Sequence, residues 1–239
     1  MQKAQTATAR RLEREGEWRR FMNFADRHAQ SPWMFRGLSS VDYDLLPSAG
    51  RVGGERYDRD KEWRIFDNFR RKARLFIKDL DMTDWDWLSV AQHHGVPTRL
   101  LDWTSNPLVA AYFAVASAGP AGHDCKIVAT RVSHFLETGA HPDPFALEKV
   151  AFVRPSAHVP RIVSQRGFFT VHPDPSQPWR PDGLERHTFA IKSADRAFFR
   201  RKLFYFGIDP AHIQFDMDGL GAALAWQYNA SVAVGDVNY

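Results

Sequence analysis

Between Trp87 and Asn106 the chain carries two histidines, an arginine, an aspartate and two threonines inside otherwise core-like sequence. Polar groups that close to a core need hydrogen-bond partners or a chemical task. His93 and His94 precede Gly95. An imidazole titrates near neutrality, so either ring can serve as general acid or base, or as a hydrogen-bonded structural group. A zinc site is excluded at this point. The two rings are adjacent in sequence, and no ligand spacing accompanies them. Asp102 and Thr104 lie just ahead of Asn106-Pro107. That pair reads as a helix cap followed by a proline in the first turn. Free N–H groups at such a start suit anions or carbonyl oxygens. Asp102 has two other roles open to it: capping that helix or pairing with Arg99.

Upstream, Arg36 stands between Phe35 and Gly37. Its guanidinium fork suits phosphate or carboxylate, and the glycine lets a ligand or another backbone come close. A structural ion pair is the competing role. Downstream, Gln165 sits in a turn between two apolar runs. Its amide can bond a ribose hydroxyl, or water, but cannot act as a base. Arg64, Arg71, Arg74 and Lys78 share one face of a helix. That face is either solvated or a contact for RNA or DNA phosphates.

The elements that position these residues follow from periodicity and punctuation. A leading helix covers 8–30, with Leu12, Trp18, Phe21, Met22 and Phe24 apolar. A first strand at 33–37 ends at Gly37. Phe66, Phe69, Ala73, Phe76 and Leu80 predict a helix over 60–80. Further helices are expected at 85–94, 107–118, 193–205 and 220–228. Strands are expected at 99–103, 125–132, 149–154, 161–164, 167–172 and 187–192. With no repeat and no marked boundary, this pattern gives an α+β domain over 31–239 behind an N-terminal helical extension, 1–30.

Composition sets the outer limits. The 239 residues are 44% hydrophobic and 13% aromatic, enough for a sizeable core. No uncharged run has the roughly 20 strongly apolar residues of a membrane span. The opening residues lack an apolar signal core, and the single cysteine, Cys125, fits a reducing, cytoplasmic setting. The net charge of +4 permits an anionic partner without demanding one. No Walker or Rossmann glycine loop, nucleophile elbow or zinc-binding cysteine set is present.

Taken in order, Phe35-Arg36-Gly37, Leu46-Pro47-Ser48 with Arg51, Glu62 with Phe66, Gln92 to Thr104, Gln165 with Gly167 and Phe168, and Asp216 to Leu220 resemble the FRG domain family. The resemblance covers roughly residues 31–225. Members occur in toxin–antitoxin and phage-defence settings, and their layout is similar to that of the ADP-ribosyltransferases. It implies a mixed or split β-sheet core with flanking helices. It implies NAD as substrate, while the single cysteine and the missing ligand spacing imply no metal. It also implies a macromolecular acceptor, nucleic acid or protein, and an antitoxin or other protein partner. Arg36, Thr104 and Gln165 would take the three strand positions of that layout and converge on one cleft. His93 and Asp102 would border it, and Gly37, Thr98 and Arg99 would help hold the dinucleotide. The expected catalytic glutamate is missing. Asp102 or Glu62 would then serve as the acid. The alternative is a module that binds nucleotide, nucleic acid or protein without catalysis.

Overall fold

The computed structural model describes residues 2–29, 32–51, 56–77, 81–117, 119–154 and 166–233. It is α+β, and the chain divides into two compact units. The first comprises 1–42, 104–131 and 183–239. The second comprises 43–103 and 132–182. The boundary falls inside a strand, between Trp103 and Thr104.

In the first unit, α1 (Gln2–Arg27) precedes β1 (Trp33–Leu38). β1 pairs antiparallel with β3 (Cys125–Arg131), and β3 with β6 (Thr188–Ile191). On its other edge β1 meets Thr104, the last residue of β2 (Leu100–Thr104). One sheet face presents Phe35, Cys125, Ile127, Ala129 and Ile191 to the core. That face is covered by α4 (Pro107–Ala116), and α1 adds Trp18, Phe21 and Phe24. Cys125 is fully buried in β3, and burial pushes its thiol up to about 11. Leu12, expected on the apolar side of α1, is 68% exposed. Three helices complete the unit: α5 (Arg196–Tyr205), α6 (Pro210–Gln214) and α7 (Met217–Ala230).

Two histidines meet in this unit. His28 Nδ1 lies 2.7 Å from the Phe24 carbonyl, and its Nε2 lies 2.9 Å from His187 Nδ1. The carbonyl can only accept, so His28 carries its proton on Nδ1. Its Nε2 then accepts from His187 Nδ1–H. A second proton on His187 would place a charge beside Arg27 and Arg186. Burial first, then His28 and those arginines, hold His187 below its ordinary value. The unfolded chain therefore takes up this proton at a higher pH than the folded one. We predict that stability is full above about pH 6.5 and falls as pH drops toward the lower folded value. Melting temperatures between pH 8 and pH 5 should show a slope that His187→Asn flattens.

The second unit holds α2 (Arg59–Ala73), α3 (Asp84–His93), Leu100 to Trp103 of β2, β4 (Ala151–Val153) and β5 (Gly167–Val171). β4 and β5 are antiparallel, and β2 is the next strand after β5. Phe66, Trp85, Leu88, Leu100, Phe145, Val153 and Phe169 form its core. Asp58 caps α2, and Thr83 with Asp86 forms a reciprocal capping box on α3. The helix expected over 60–80 ends at Ala73. Leu75 and Phe76 are 83% and 85% exposed, so Phe76 does not extend the apolar face. The strand expected at 161–164 lies outside the described residues. No described helix is long and apolar enough to cross a membrane.

Candidate functional site

Phe35, Arg36 and Gly37 do three different jobs in β1. Phe35 enters the core at 2% exposure. Gly37, two residues on, faces the same way. A Cβ there would lie 1.9 Å from the Ala110 carbonyl oxygen and 2.6 Å from the Ala114 nitrogen. The space that glycine leaves is therefore filled by the backbone of α4. This corrects the expectation that Gly37 opens room for a dinucleotide.

Arg36 is half-buried and faces the other way. Residues opposite each other in a ladder share a face, and neighbours along a strand alternate. Phe35 pairs with Thr104, so Thr104 projects with Phe35 on the α4 side. Arg36 pairs with Val128 and shares the opposite face with Met34 and Leu38. Arg36 and Thr104 thus do not converge from one face, contrary to the expectation of a shared cleft. Thr104 is 4% exposed, and its Oγ1 accepts from Asn106 N at 3.0 Å. Asn106 in turn caps α4 through Leu108 N, as its sequence indicated. Gln165 lies outside the described residues.

In the second unit the segment from Gln92 to Asp102 is a polar chain. Ser48 and Thr98 exchange hydrogen bonds, with Thr98 N donating to Ser48 Oγ at 3.0 Å and Ser48 Oγ donating to the Thr98 carbonyl at 3.3 Å. Thr98 Oγ1 donates to Gln92 Oε1 at 2.5 Å. Gln92 Nε2 then donates to Asp102 Oδ2 at 2.9 Å. Gln92, on the last turn of α3, thus fixes an exposed carboxylate on β2. Arg51 is close enough to Asp102 for their charges to interact, although burial lowers its own basicity. His93 is half-buried, and its ring stands edge-on to the exposed His94 ring at 4.9 Å. Thr98 is 1% exposed and serves this chain, so its side chain organises the carboxylate from within.

Arg99 requires a clear correction. It is fully buried. Its Nε and Nη2 donate to the two Glu62 carboxylate oxygens at 3.1 and 2.7 Å, and Nη2 also donates to the Tyr57 hydroxyl at 3.1 Å. Tyr57 donates to Glu62 Oε2 at 2.5 Å. The guanidinium stacks on Phe145 at 4.3 Å. Burial, followed by its bond to Glu62, pushes the Tyr57 phenol well above its ordinary value. Arg99 is therefore a core ion pair and cannot hold a dinucleotide. Glu62, 7% exposed and committed to Arg99, is equally removed as a catalytic acid.

The basic face of α2 is only partly available. Arg71 bonds Asp67 at 3.1 Å and Asn68 at 2.8 Å. Arg64 and Arg74 are exposed, and Lys78 lies outside the described residues. Acidic residues open α2 and basic ones close it, an order that favours the helix dipole irrespective of any ligand. Among the described residues no group of three or more His, Cys, Asp or Glu side chains is arranged to hold a metal ion.

One feature had no signal in the sequence. A cavity of about 210 Å³ lies in the second unit beside Trp85, Ser89, Leu100, Thr138 and Arg154. Ligand pockets usually span about 300–1,000 Å³, so this one does not house a whole dinucleotide.

Residues 31–122, from just ahead of β1 to just beyond α4, match the FRG domain family. The match supports the FRG resemblance read from the motifs. No curated protein and no solved structure matches the chain.

Proposed function

We propose that this protein is an ADP-ribosyltransferase-like enzyme that consumes NAD, with Asp102 as its working carboxylate. The observation that supports this reading is the exposed Asp102, held by Gln92 and backed by Thr98. A nucleophile on a nucleic acid or protein attacks C1′ of the nicotinamide ribose. The bond from C1′ to the pyridinium nitrogen breaks, and its electron pair neutralises nicotinamide as it leaves. The oxocarbenium character that develops needs a nearby negative charge, which Asp102 supplies. His93, on the same helix end as Gln92, takes the proton of the acceptor. Toxin or phage-defence activity and an antitoxin partner belong to the same proposal.

A second reading is favoured by one specific observation. Glu62 is spent on Arg99, and a glutamine stands at residue 165. A module that binds a nucleotide, nucleic acid or protein without transfer would need no acid at either position.

Labelled NAD separates the two. With acceptor present, the enzyme should release nicotinamide and label RNA, DNA or protein. Asp102→Asn should lower release about 100-fold, the scale of losing one charge-stabilising group, while NAD binding persists. NAD binding with no nicotinamide release from the wild type would instead establish the binding module. Failure to bind NAD at all would sink the NAD reading.

A further inference from the structure

We propose that the cavity between α3 and the strands of the second unit binds a small aromatic acid, a single ring that carries a carboxylate. Trp85, Leu100, Val153 and Phe169 form its apolar walls, and each is more than nine-tenths buried. Val153 and Phe169 stand opposite each other in the β4–β5 pair, so both project from one sheet face. Trp85 donates its only N–H to the His141 carbonyl at 2.7 Å, which fixes the indole as a wall. An apolar cavity of about 150 Å³ is enough to take up benzene. At about 210 Å³ this one has room for a ring with polar substituents.

Two polar groups set the ends of the ligand. Ser89, on α3 one turn beyond Trp85, lines the cavity and is 4% exposed. Its hydroxyl has no hydrogen-bond partner among the described residues. A hydroxyl taken out of water without a partner is costly, so a polar ligand atom gains a bond at this inner end. A single water has a volume of about 30 Å³, so it would satisfy Ser89 without filling the space.

The outer end is cationic. Arg154 is exposed, lines the cavity and stacks on Phe135 at 4.3 Å. It has no ion pair among the described residues. Stacking holds the guanidinium by its face and leaves its N–H edge for a carboxylate. Asp86 is the acid on the wall. Its Oδ2 already accepts from Thr83 N at 2.8 Å and from Thr83 Oγ1 at 2.7 Å, and its charge is set against the N-terminus of α3. The charge left unmatched at the mouth is therefore positive. 4-Hydroxybenzoate is a simple molecule of the matching kind, with a flat ring, a hydroxyl for Ser89 and a carboxylate for Arg154.

Calorimetric titration of the whole chain with 4-hydroxybenzoate should show one site with a Kd on the order of 100 µM. 4-Hydroxybenzamide, the same shape without the charge, should bind about tenfold more weakly. Ser89→Ala should weaken 4-hydroxybenzoate about tenfold, because the buried phenol loses its partner. Arg154→Gln should bind the acid and the amide alike. Ser89 has no hydrogen bond to lose and Arg154 is exposed, so both variants should keep the wild-type circular dichroism spectrum. No NAD enters the titration, so its outcome is separate from how the protein treats NAD. No saturable binding up to about 10 mM, equal affinity of the wild type for acid and amide, or unchanged binding by Ser89→Ala would each overturn the proposal.

Discussion

Glu62→Ala should cost about 3–5 kcal/mol of unfolding free energy, because it strands a fully buried guanidinium. Arg99 has no exposure through which water could replace the lost carboxylate, and its Nε and Nη2 both lose an acceptor. Tyr57 loses the acceptor for its hydroxyl at the same time. Urea unfolding should show a lower midpoint. Glu62→Gln should fall between wild type and Glu62→Ala, since it keeps the shape without the charge. The double variant Glu62→Leu with Arg99→Met should recover most of the loss, as buried pairs replaced by apolar groups often do. The cluster also sets an alkaline limit. The folded state retains the Tyr57 proton above the point, about pH 10, where the unfolded chain releases it. Stability from this group is therefore full below about pH 10 and lost above it. A Glu62→Ala protein as stable as wild type would refute the ion-pair assignment and return Glu62 to the list of catalytic acids.

Gly37→Ala should be nearly as damaging. The atoms its Cβ would strike are backbone atoms of Ala110 and Ala114, which cannot rotate aside. α4 must lift from β1, disturbing Phe35, Ala110 and Ala114 in a close-packed core. Overpacking of this kind costs about 1–3 kcal/mol or more. The entropy gained by removing a glycine from the unfolded chain recovers only about 0.4–1 kcal/mol. Gly221→Ala is the matched control. It sits in open space on a helix, so the folded monomer should gain about 0.5–1 kcal/mol. Opposite signs at the two positions would confirm that Gly37 is kept for the approach of a helix. An unchanged melting temperature for Gly37→Ala would contradict that packing.

Local signals in the sequence translated well into structure. Asn106-Pro107 opens α4, and the apolar run from Cys125 makes β3, whereas the helix expected to be capped by Ser193 starts at Arg196, after a 3-10 turn over Ser193–Asp195. These depend on residues within a turn or two of each other. What the sequence did not disclose depends on distance. Glu62 and Arg99 are 37 residues apart, and nothing local marks them as partners. Asp102, three residues away, was therefore the carboxylate weighed as a partner for Arg99. The apolar spacing of α2 continues to Leu80, yet the helix stops at Ala73. Periodicity records which face is apolar without recording where the neighbouring surface ends. The opposite projection of Arg36 and Thr104 is a matter of register, and register appears only when strands pair. The chain from Ser48 through Thr98 and Gln92 to Asp102 drew on residues within the resemblance, but its bonding order required coordinates.

The boundary inside β2 has a consequence for how the chain reaches its native state. The first unit is drawn from three separate stretches, so Trp18 must find Phe199 before its core can close. Loop closure over such separations is entropically costly, and topologies of this kind fold slowly. The stretch 31–122 alone lacks α1, β3, β6 and α5, which supply much of the first unit's core. Released from a ribosome or cut out as a fragment, it would expose Phe35 and the apolar face of α4 to water. Chain segments before and after it are therefore needed to complete the first unit, and its strands stay open to aggregation until residues past 190 emerge.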